Sequence, residues 1–231
     1  MARVYPLPKK LLAEAIGTYA LVFAGTTAIV VHDAGRLTHE GVALTFGLVV
    51  FAMISALGDV SGAHINPAVT IAFAVARRFA WRQVPAYWMA QFLGALLASL
   101  TVQLLFPASE TLGSTVPAGP VYQSWVLEFL LTAGLMFVIL GVSVGAQEKG
   151  LIAGLAVGGV VALEALFAGP VCGASMNPAR SLGPALVSGR LGAVWIYLTA
   201  PVFGALSAVG FCRCVRDEAC CAIGGTSSCP T

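Results

Sequence analysis

Two Asn-Pro-Ala triplets carry the side chains best suited to hold a small polar molecule: Asn66-Pro67-Ala68 and Asn177-Pro178-Ala179. Asparagine is a strong helix N-cap, and proline is favoured at the first helical position because its missing N–H has no partner there. Each triplet therefore predicts the start of a short helix, over about 66–76 and 177–187. An asparagine that caps a helix can still donate its side-chain N–H groups to an oxygen atom of another molecule. The chemistry that these residues offer is hydrogen bonding, not bond cleavage.

The composition places these triplets in a membrane protein. Hydrophobic residues make up 58% of the 231 positions and charged residues 10%, and the mean hydropathy is +0.91. An ordinary soluble domain carries roughly 25% charged residues. The basic residues are scattered and the net charge is +2, so we predict no nucleic-acid partner. Six stretches have about the 20 apolar residues needed to cross a bilayer as a helix: about 11–31, 41–58, 83–106, 124–146, 150–169 and 191–211.

The sequence repeats itself at an offset of about 110 residues. Three separate segments carry the match: 61–70 with 172–181, Glu14 with Glu128, and 94–96 with 204–206. Each half contributes three spans, an odd number, so the two halves must be inverted relative to each other in the membrane.

The inversion determines where the two short helices lie. Eleven residues rise about 16 Å, roughly half of the hydrocarbon core, so two helices entering from opposite sides would meet at their N-termini. The preceding segments, about 59–65 and 170–176, are predicted to be non-helical, which is tolerated at that depth only inside protein or beside water. The predicted fold class is an all-α membrane protein with six transmembrane helices, two re-entrant half-helices and an inverted repeat.

The distribution of basic residues predicts the orientation. With both termini in the cytoplasm, nine of the twelve Lys and Arg residues are cytoplasmic, and Arg36, Arg180 and Arg190 are external; this is the usual bias. We predict one domain over 1–231. Its parts are repeats at about 8–106 and 122–214, an external connecting loop at 107–121, and a Cys-rich cytoplasmic tail at 215–231.

The remaining reactive side chains do not complete a catalytic site. Cys172 and His64 are the one conceivable pair of nucleophile and base, and their loops enter the membrane from opposite sides. The cysteines near the C-terminus match no trusted zinc pattern, although their thiolates could bind a soft metal. The sequence predicts no enzyme, no metal site and no cofactor.

The segments around the two triplets, 61–69 and 173–181, resemble the two signature loops of the aquaporin (major intrinsic protein) family. The resemblance covers the chain from Glu14 to about residue 211, and 168–185 is most similar to the plant nodulin-like branch and its bacterial relatives. It implies one pore per protomer, a homotetramer in the plasma membrane, and passive flow of water and small uncharged solutes.

The residues agree physically with a pore that rejects cations. Two half-helix N-termini would place positive dipole ends at mid-pore, each worth about half a charge. Asn66 and Asn177 would donate to a passing oxygen, and Arg180 adds a full positive charge toward the outer mouth. An arginine at membrane depth is costly and is a functional candidate by default.

The resemblance also implies roles for other buried polar residues. Glu14 and Glu128 would hold backbone N–H groups of the re-entrant loops, although both could instead pack between helices in protonated form. His64 would pack beside the cytoplasmic side of the pore. Glu164 has no counterpart in the first repeat, and it could brace the outer loop or Arg180, or face a neighbouring helix.

Four positions set the outer constriction in this family, and spacing from the motifs puts them at Phe46, Ala165, Ala174 and Arg180. Strict water channels usually have histidine at the position of Ala165. Replacing the imidazole by a methyl group widens this outer constriction, which we call the neck. Glycerol facilitators usually have aspartate directly after the arginine, whereas this chain has Ser181. We expect water together with glycerol or metalloid hydroxides such as arsenite to pass. A strict water-only channel and a secondary transporter remain as alternatives.

Overall fold

The computed structural model describes residues 5–143 and 151–215. Within them it has eight α-helices, one 3₁₀ turn at Trp81–Gln83 and no strand. The helices are α1 (Leu7–Asp33), α2 (His39–Ser61), α3 (Pro67–Val75), α4 (Val84–Leu105), α5 (Val121–Val142), α6 (Leu151–Cys172), α7 (Pro178–Ser188) and α8 (Val194–Val215).

Six of these helices are long and apolar enough to cross a membrane, and α3 and α7 are the two half-helices. This confirms the predicted fold class. Each observed span begins and ends within about four residues of the predicted one. The predicted Cys-rich tail lies outside the described residues, except for Val215 at the end of α8.

Both half-helices begin where the Asn-Pro pairs predict. Asn66 and Asn177 have extended backbones and act as N-caps, and Pro67 and Pro178 are the first helical residues. The structure differs from the prediction just before them, since α2 runs to Ser61 and α6 to Cys172, past the expected breaks at 59 and 170. The physical reason is that each helix ends at a glycine, Gly62 or Gly173, with φ of +88° or +84°. Glycine adopts this left-handed conformation without steric cost and stops a helix there.

The two halves pack in matching ways. In the first half, Gly94 of α4 lies against the backbone carbonyl of Ala15 in α1, and in the second half Gly204 of α8 lies against that of Phe129 in α5. Between the halves, a Cβ added to Gly47 of α2 would lie 2.5 Å from the carbonyl oxygen of Gly158 in α6. Close approach over small residues is the usual way for membrane helices to pack. These contacts enclose the space in which the two half-helices meet.

Candidate functional site

A cavity of about 660 Å³ runs through the bundle beside both half-helices. Its lining includes Asn66 and Asn177, with Phe46, Ala174 and Arg180 on one side of them. It also includes a polar group from the other end of the bundle: Ser55, Asp59, Arg78 and Ser143. The cavity therefore extends along the bundle past the point where the half-helices meet.

Each motif asparagine makes hydrogen bonds in two directions. The Oδ1 atoms of Asn66 and Asn177 accept from the backbone N–H groups of Ala68 and Ala179 at 2.9 and 3.0 Å. Asn66 Nδ2 donates to the carbonyl oxygen of Met176 at 2.7 Å, and Asn177 Nδ2 donates to that of Ile65 at 2.8 Å. An amide NH₂ group has two hydrogens, so each asparagine keeps one N–H for a molecule in the cavity.

The loops before the half-helices have unusual backbone conformations at equivalent positions. Ala63 and Ile65 have φ of +44° and +43°, and Ala174 and Met176 have φ of +40° and +54°. Each such residue costs on the order of 1–3 kcal/mol and persists only where its surroundings enforce it. All four residues line the cavity, so the strain lies along the pore wall.

Glu14 supports the first of these loops. One carboxylate oxygen accepts from the backbone N–H of His64 and from the hydroxyl of Ser61, at 2.9 and 2.7 Å. The other accepts from the backbone N–H of Ile65 at 2.7 Å and from Gln91 Nε2 at 2.8 Å. Gln91, which was not among the residues predicted from the sequence, also donates to Thr70 Oγ1. The sequence signal for this role was an amide side chain within an apolar membrane span.

Glu128 holds the second loop in the equivalent way. Its two oxygens accept from the backbone N–H groups of Ser175 and Met176 at 2.7 and 2.8 Å. Tyr87 and Tyr197 add a second matching pair, since their hydroxyls donate to the carbonyl oxygens of Ser61 and Cys172. Each loop is therefore attached to two different long helices.

His64 lines the cavity and is packed among aromatic rings. Its ring centre lies 4.8 Å from those of Phe73 and Phe79 and 5.2 Å from that of Tyr87. Nδ1 is 3.1 Å from Thr70 Oγ1. The surroundings of His64 are those of a packed side chain beside the pore.

Arg180 is 1% exposed and faces the cavity near Phe46. Its guanidinium carbon lies 5.1 Å from the centre of the Phe46 ring, and Nη1 donates to the carbonyl oxygen of Gly113 at 3.1 Å. Among the described residues, Nε has no hydrogen-bond partner. The guanidinium is therefore held on two sides, and its Nε atom is buried without a partner in the described part of the chain.

Gly113, which accepts the hydrogen bond from Arg180, lies in the 107–121 loop. The sequence predicted this loop only as an external connector. Leu112 is buried, and both Leu112 and Gly113 have positive φ, +49° and +68°. A Cβ on Gly113 would lie 2.8 Å from the Cα of Thr26. Thr115 in the same loop is buried and donates to Ser181 Oγ, which in turn contacts Ser175 Oγ. In the sequence, the signal for this contact was an apolar residue followed by glycine, Leu112-Gly113, inside an otherwise polar stretch.

The four predicted constriction residues do not lie equally close to the cavity. Phe46, Ala174 and Arg180 line it. Ala165 is 6% exposed and belongs to the same apolar cluster as Phe46 and Ala174, but Val161, one helical turn earlier, lines the cavity in its place. The assignment of Ala165 to the neck stays a prediction.

Glu164 faces a neighbouring helix, which was one of the alternatives left open. It is 8% exposed, and one carboxylate oxygen lies 2.9 Å from where a Cβ on Gly134 of α5 would be. The other oxygen has no partner among the described residues. No hydrogen bond to Arg180 is found among those residues.

The model of the family described as "Major intrinsic protein" matches residues 1–211. The chain belongs to this family of membrane channels, the aquaporins. It is 52% identical to "Aquaporin NIP1-1" of Oryza sativa subsp. japonica over 205 residues, 87% of this chain and 72% of the relative. It is 49% identical to "Nodulin-26" of Glycine max, over 91% of this chain and 79% of the relative. These relatives confirm the resemblance to the nodulin-like branch.

Among solved structures, the chain is similar to the X-ray structure of the aquaglyceroporin from Plasmodium falciparum. The TM-score is 0.78 and the sequence identity 28%, with 89% of this chain and 95% of the other covered. The channel architecture described above is therefore that of a known aquaporin-family structure.

Proposed function

We propose that the protein is a passive channel for water and small uncharged solutes that excludes protons. The observation that carries this proposal is the meeting of the two half-helices at Asn66 and Asn177, each of which bonds to the loop of the other half. Their free N–H groups replace hydrogen bonds that a molecule loses on leaving bulk water.

Exclusion of cations follows from the charges around the cavity. Two helix N-termini contribute about half a positive charge each, and Arg180 contributes a full one beside them. A hydronium or metal cation would meet positive potential there and donors that it cannot use. A neutral molecule with oxygen acceptors can use the N–H donors of Asn66, Asn177 and Arg180.

The proposed solutes are glycerol and neutral hydroxides of arsenic or boron. Ala174 and, by the sequence prediction, Ala165 leave two walls of the neck small. Phe46 provides an apolar wall, and Arg180 provides a donor wall. An uncharged molecule with hydroxyl groups on one side matches such a ring. The similarity to a protein described as an aquaglyceroporin supports this choice.

A strict water channel is the second candidate. The Phe46 ring lies against Arg180, and this contact narrows the neck. Stopped-flow light scattering on proteoliposomes, under water gradients and then under glycerol gradients, separates the two candidates. Solute-driven reswelling above that of empty vesicles supports the wider range, and its absence supports water alone.

We further propose that the protein works as a homotetramer in the plasma membrane with both termini in the cytoplasm. Large apolar side chains such as Leu48, Met89 and Leu104 are exposed on the helices and would contact lipid or neighbouring copies. The single domain over 1–231 and its repeats at about 8–106 and 122–214 belong to the same proposal. The exposed thiol of Cys214 offers a test of orientation, since an impermeant maleimide should label it only from the cytoplasmic side.

A further inference from the structure

At one end of the interface between α2 and α6, a histidine contacts α6 where that helix contains a proline. Pro170 lies inside α6 and has no N–H, so the carbonyl oxygen of Leu166 lacks the donor that the residue four positions later normally supplies. His39 Nε2 lies 2.9 Å from that oxygen. Because a carbonyl oxygen only accepts, the imidazole donates. The side chain of one helix thus replaces the hydrogen bond that proline removes from the other.

The surroundings fit the imidazole closely. A Cβ added to Gly169 would lie 2.8 Å from His39 Cε1, so a larger residue there would displace the ring. On the other side, the ring centre of His32 lies 6.4 Å from that of His39. His32 is itself fixed by a hydrogen bond of 2.7 Å between Nδ1 and the carbonyl oxygen of Leu37. The donor therefore has a glycine on one side and a second, anchored ring on the other, and the bond itself lies at the surface of the bundle.

The helices that this bond joins carry two of the proposed neck residues. Phe46 follows His39 by seven residues, two helical turns on the same face of α2. Ala165 directly precedes Leu166 in α6. Further along the interface, Gly47 packs on the backbone of Gly158, which leaves little freedom for the helices to slide. The bond at His39 adds a second contact between the two helices, two turns before Phe46 in α2 and next to Ala165 in α6.

We propose that His39 is a positioning residue for the neck of the pore. Its Nε2 donates to the Leu166 carbonyl oxygen, which Pro170 leaves without a backbone donor. This bond fixes the spacing between the Phe46 and Ala165 walls. His39 touches no permeating molecule in this role. Its effect on solute selectivity rests on the proposed solute range, whereas its effect on water flux rests only on the proposal that the channel conducts water.

The first test compares His39→Leu with His39→Gln in proteoliposomes, with flux normalised to the amount of reconstituted tetramer. Leucine removes the donor, so we expect the ratio of glycerol flux to water flux to rise by up to about fivefold, the factor that corresponds to one net hydrogen bond. Glutamine offers an amide N–H at a similar distance and should stay near the wild-type ratio. A glutamine variant that behaves like leucine would overturn the proposal.

The second test restores the missing donor in the backbone. The double variant His39→Leu/Pro170→Ala regains a backbone N–H at position 170 that can donate to the Leu166 oxygen, so the ratio should return toward the wild-type value. Gly169→Ala, which pushes the ring away, should resemble His39→Leu and serves if that variant fails to fold. Equal ratios in wild type, His39→Leu and Gly169→Ala would contradict a positioning role.

Water flux separates failure of this inference from failure of the proposed solute range. If wild type excludes every solute, the solute proposal is wrong, and water flux then decides the role of His39. A changed water flux in His39→Leu that recovers in the double variant supports the inference. An unchanged water flux overturns it.

Discussion

At the scale of single residues, Arg180 carries a charge in a place where burial is most costly. The cost is offset by the Gly113 carbonyl and by the face of the Phe46 ring, which attracts a guanidinium. Phe46 and Arg180 both line the cavity, so the guanidinium lies where a passing molecule would meet it. In the proposed channel, the arginine would be both a barrier to cations and a hydrogen-bonding wall for neutral solutes.

We predict that Ala165→His reduces glycerol flux much more than water flux. An imidazole adds bulk that obstructs the larger molecule and a donor that water can use. Ala165→Leu is the matched control, since it adds bulk without a donor and should reduce both fluxes. Stopped-flow measurements on proteoliposomes check both variants. Equal losses of water and glycerol flux in Ala165→His would place the neck elsewhere.

We predict that mercury does not block the pore through Cys172. The thiol is fully buried and lies 3.5 Å from the carbonyl oxygen of Ala168, whereas Ala174 lines the cavity. Water flux of Cys172→Ser should therefore show the same response to mercuric chloride as wild type, and Ala174→Cys should become more sensitive. Inhibition that vanishes in Cys172→Ser would contradict this account of the pore wall.

At the scale of elements, the re-entrant loops depend on the long helices around them. Glu14 accepts four hydrogen bonds and Glu128 accepts two backbone ones at the equivalent position. Hydrogen bonds to charged groups contribute about 1.5–3 kcal/mol each. The strained residues Ala63 and Ile65 are thereby held in a conformation that they would not adopt alone.

We expect Glu14→Gln to lower the thermal stability of the detergent-solubilised protein more than Glu128→Gln does. Both changes weaken the acceptor for two loop N–H groups, and the first also affects Ser61 and Gln91 whereas the second also affects the Cys172 thiol. Thermal denaturation followed by size-exclusion chromatography measures the difference. The same loss of stability in both variants would show that the extra bonds to Glu14 contribute little.

Gly113→Ala tests the loop that reaches Arg180. The added Cβ would meet the backbone of Thr26, so the loop must move and the Gly113 carbonyl must leave the guanidinium. We expect a several-fold change in water flux, since one charge-assisted hydrogen bond is worth about 1.5–3 kcal/mol.

Gly35→Ala is the matched control for that variant. Gly35 has a similar positive φ of +70° but open space around its Cβ position. It should therefore show the cost of backbone strain alone and leave the flux unchanged. Equal flux in Gly113→Ala and wild type would show that the loop does not position Arg180.

The sequence predicted the elements better than their contacts. The duplicated Asn-Pro pairs predict both half-helices because capping is a local property of the residues involved. The ends of α2 and α6 were misplaced, because both helices continue until a glycine with positive φ, Gly62 or Gly173, and α6 runs through Pro170 on the way. The roles of Gln91, Gly113 and His39 depend on which elements meet in space, and spacing along one chain does not reveal that.

At the scale of the whole molecule, the two halves contribute equivalent parts to one pore. Each half supplies one half-helix, one acid that supports a loop and one tyrosine that bonds to the end of a long helix. Arg180 and the loop at 107–121 break this equivalence, because Val69 stands at the corresponding position of the first half. The asymmetry gives the two ends of the cavity different linings, with Phe46 and Arg180 at one end and Asp59 and Arg78 at the other.

Water passing without protons is the central property of the proposed channel. Proteoliposomes containing the protein and an internal pH-sensitive dye should be mixed with a hyperosmotic buffer and, separately, with a buffer of different pH. We expect shrinkage much faster than in empty vesicles, and collapse of the pH gradient no faster than in empty vesicles. A pH gradient that collapses through the protein as fast as the vesicles shrink would contradict the proposed barrier at Asn66, Asn177 and Arg180.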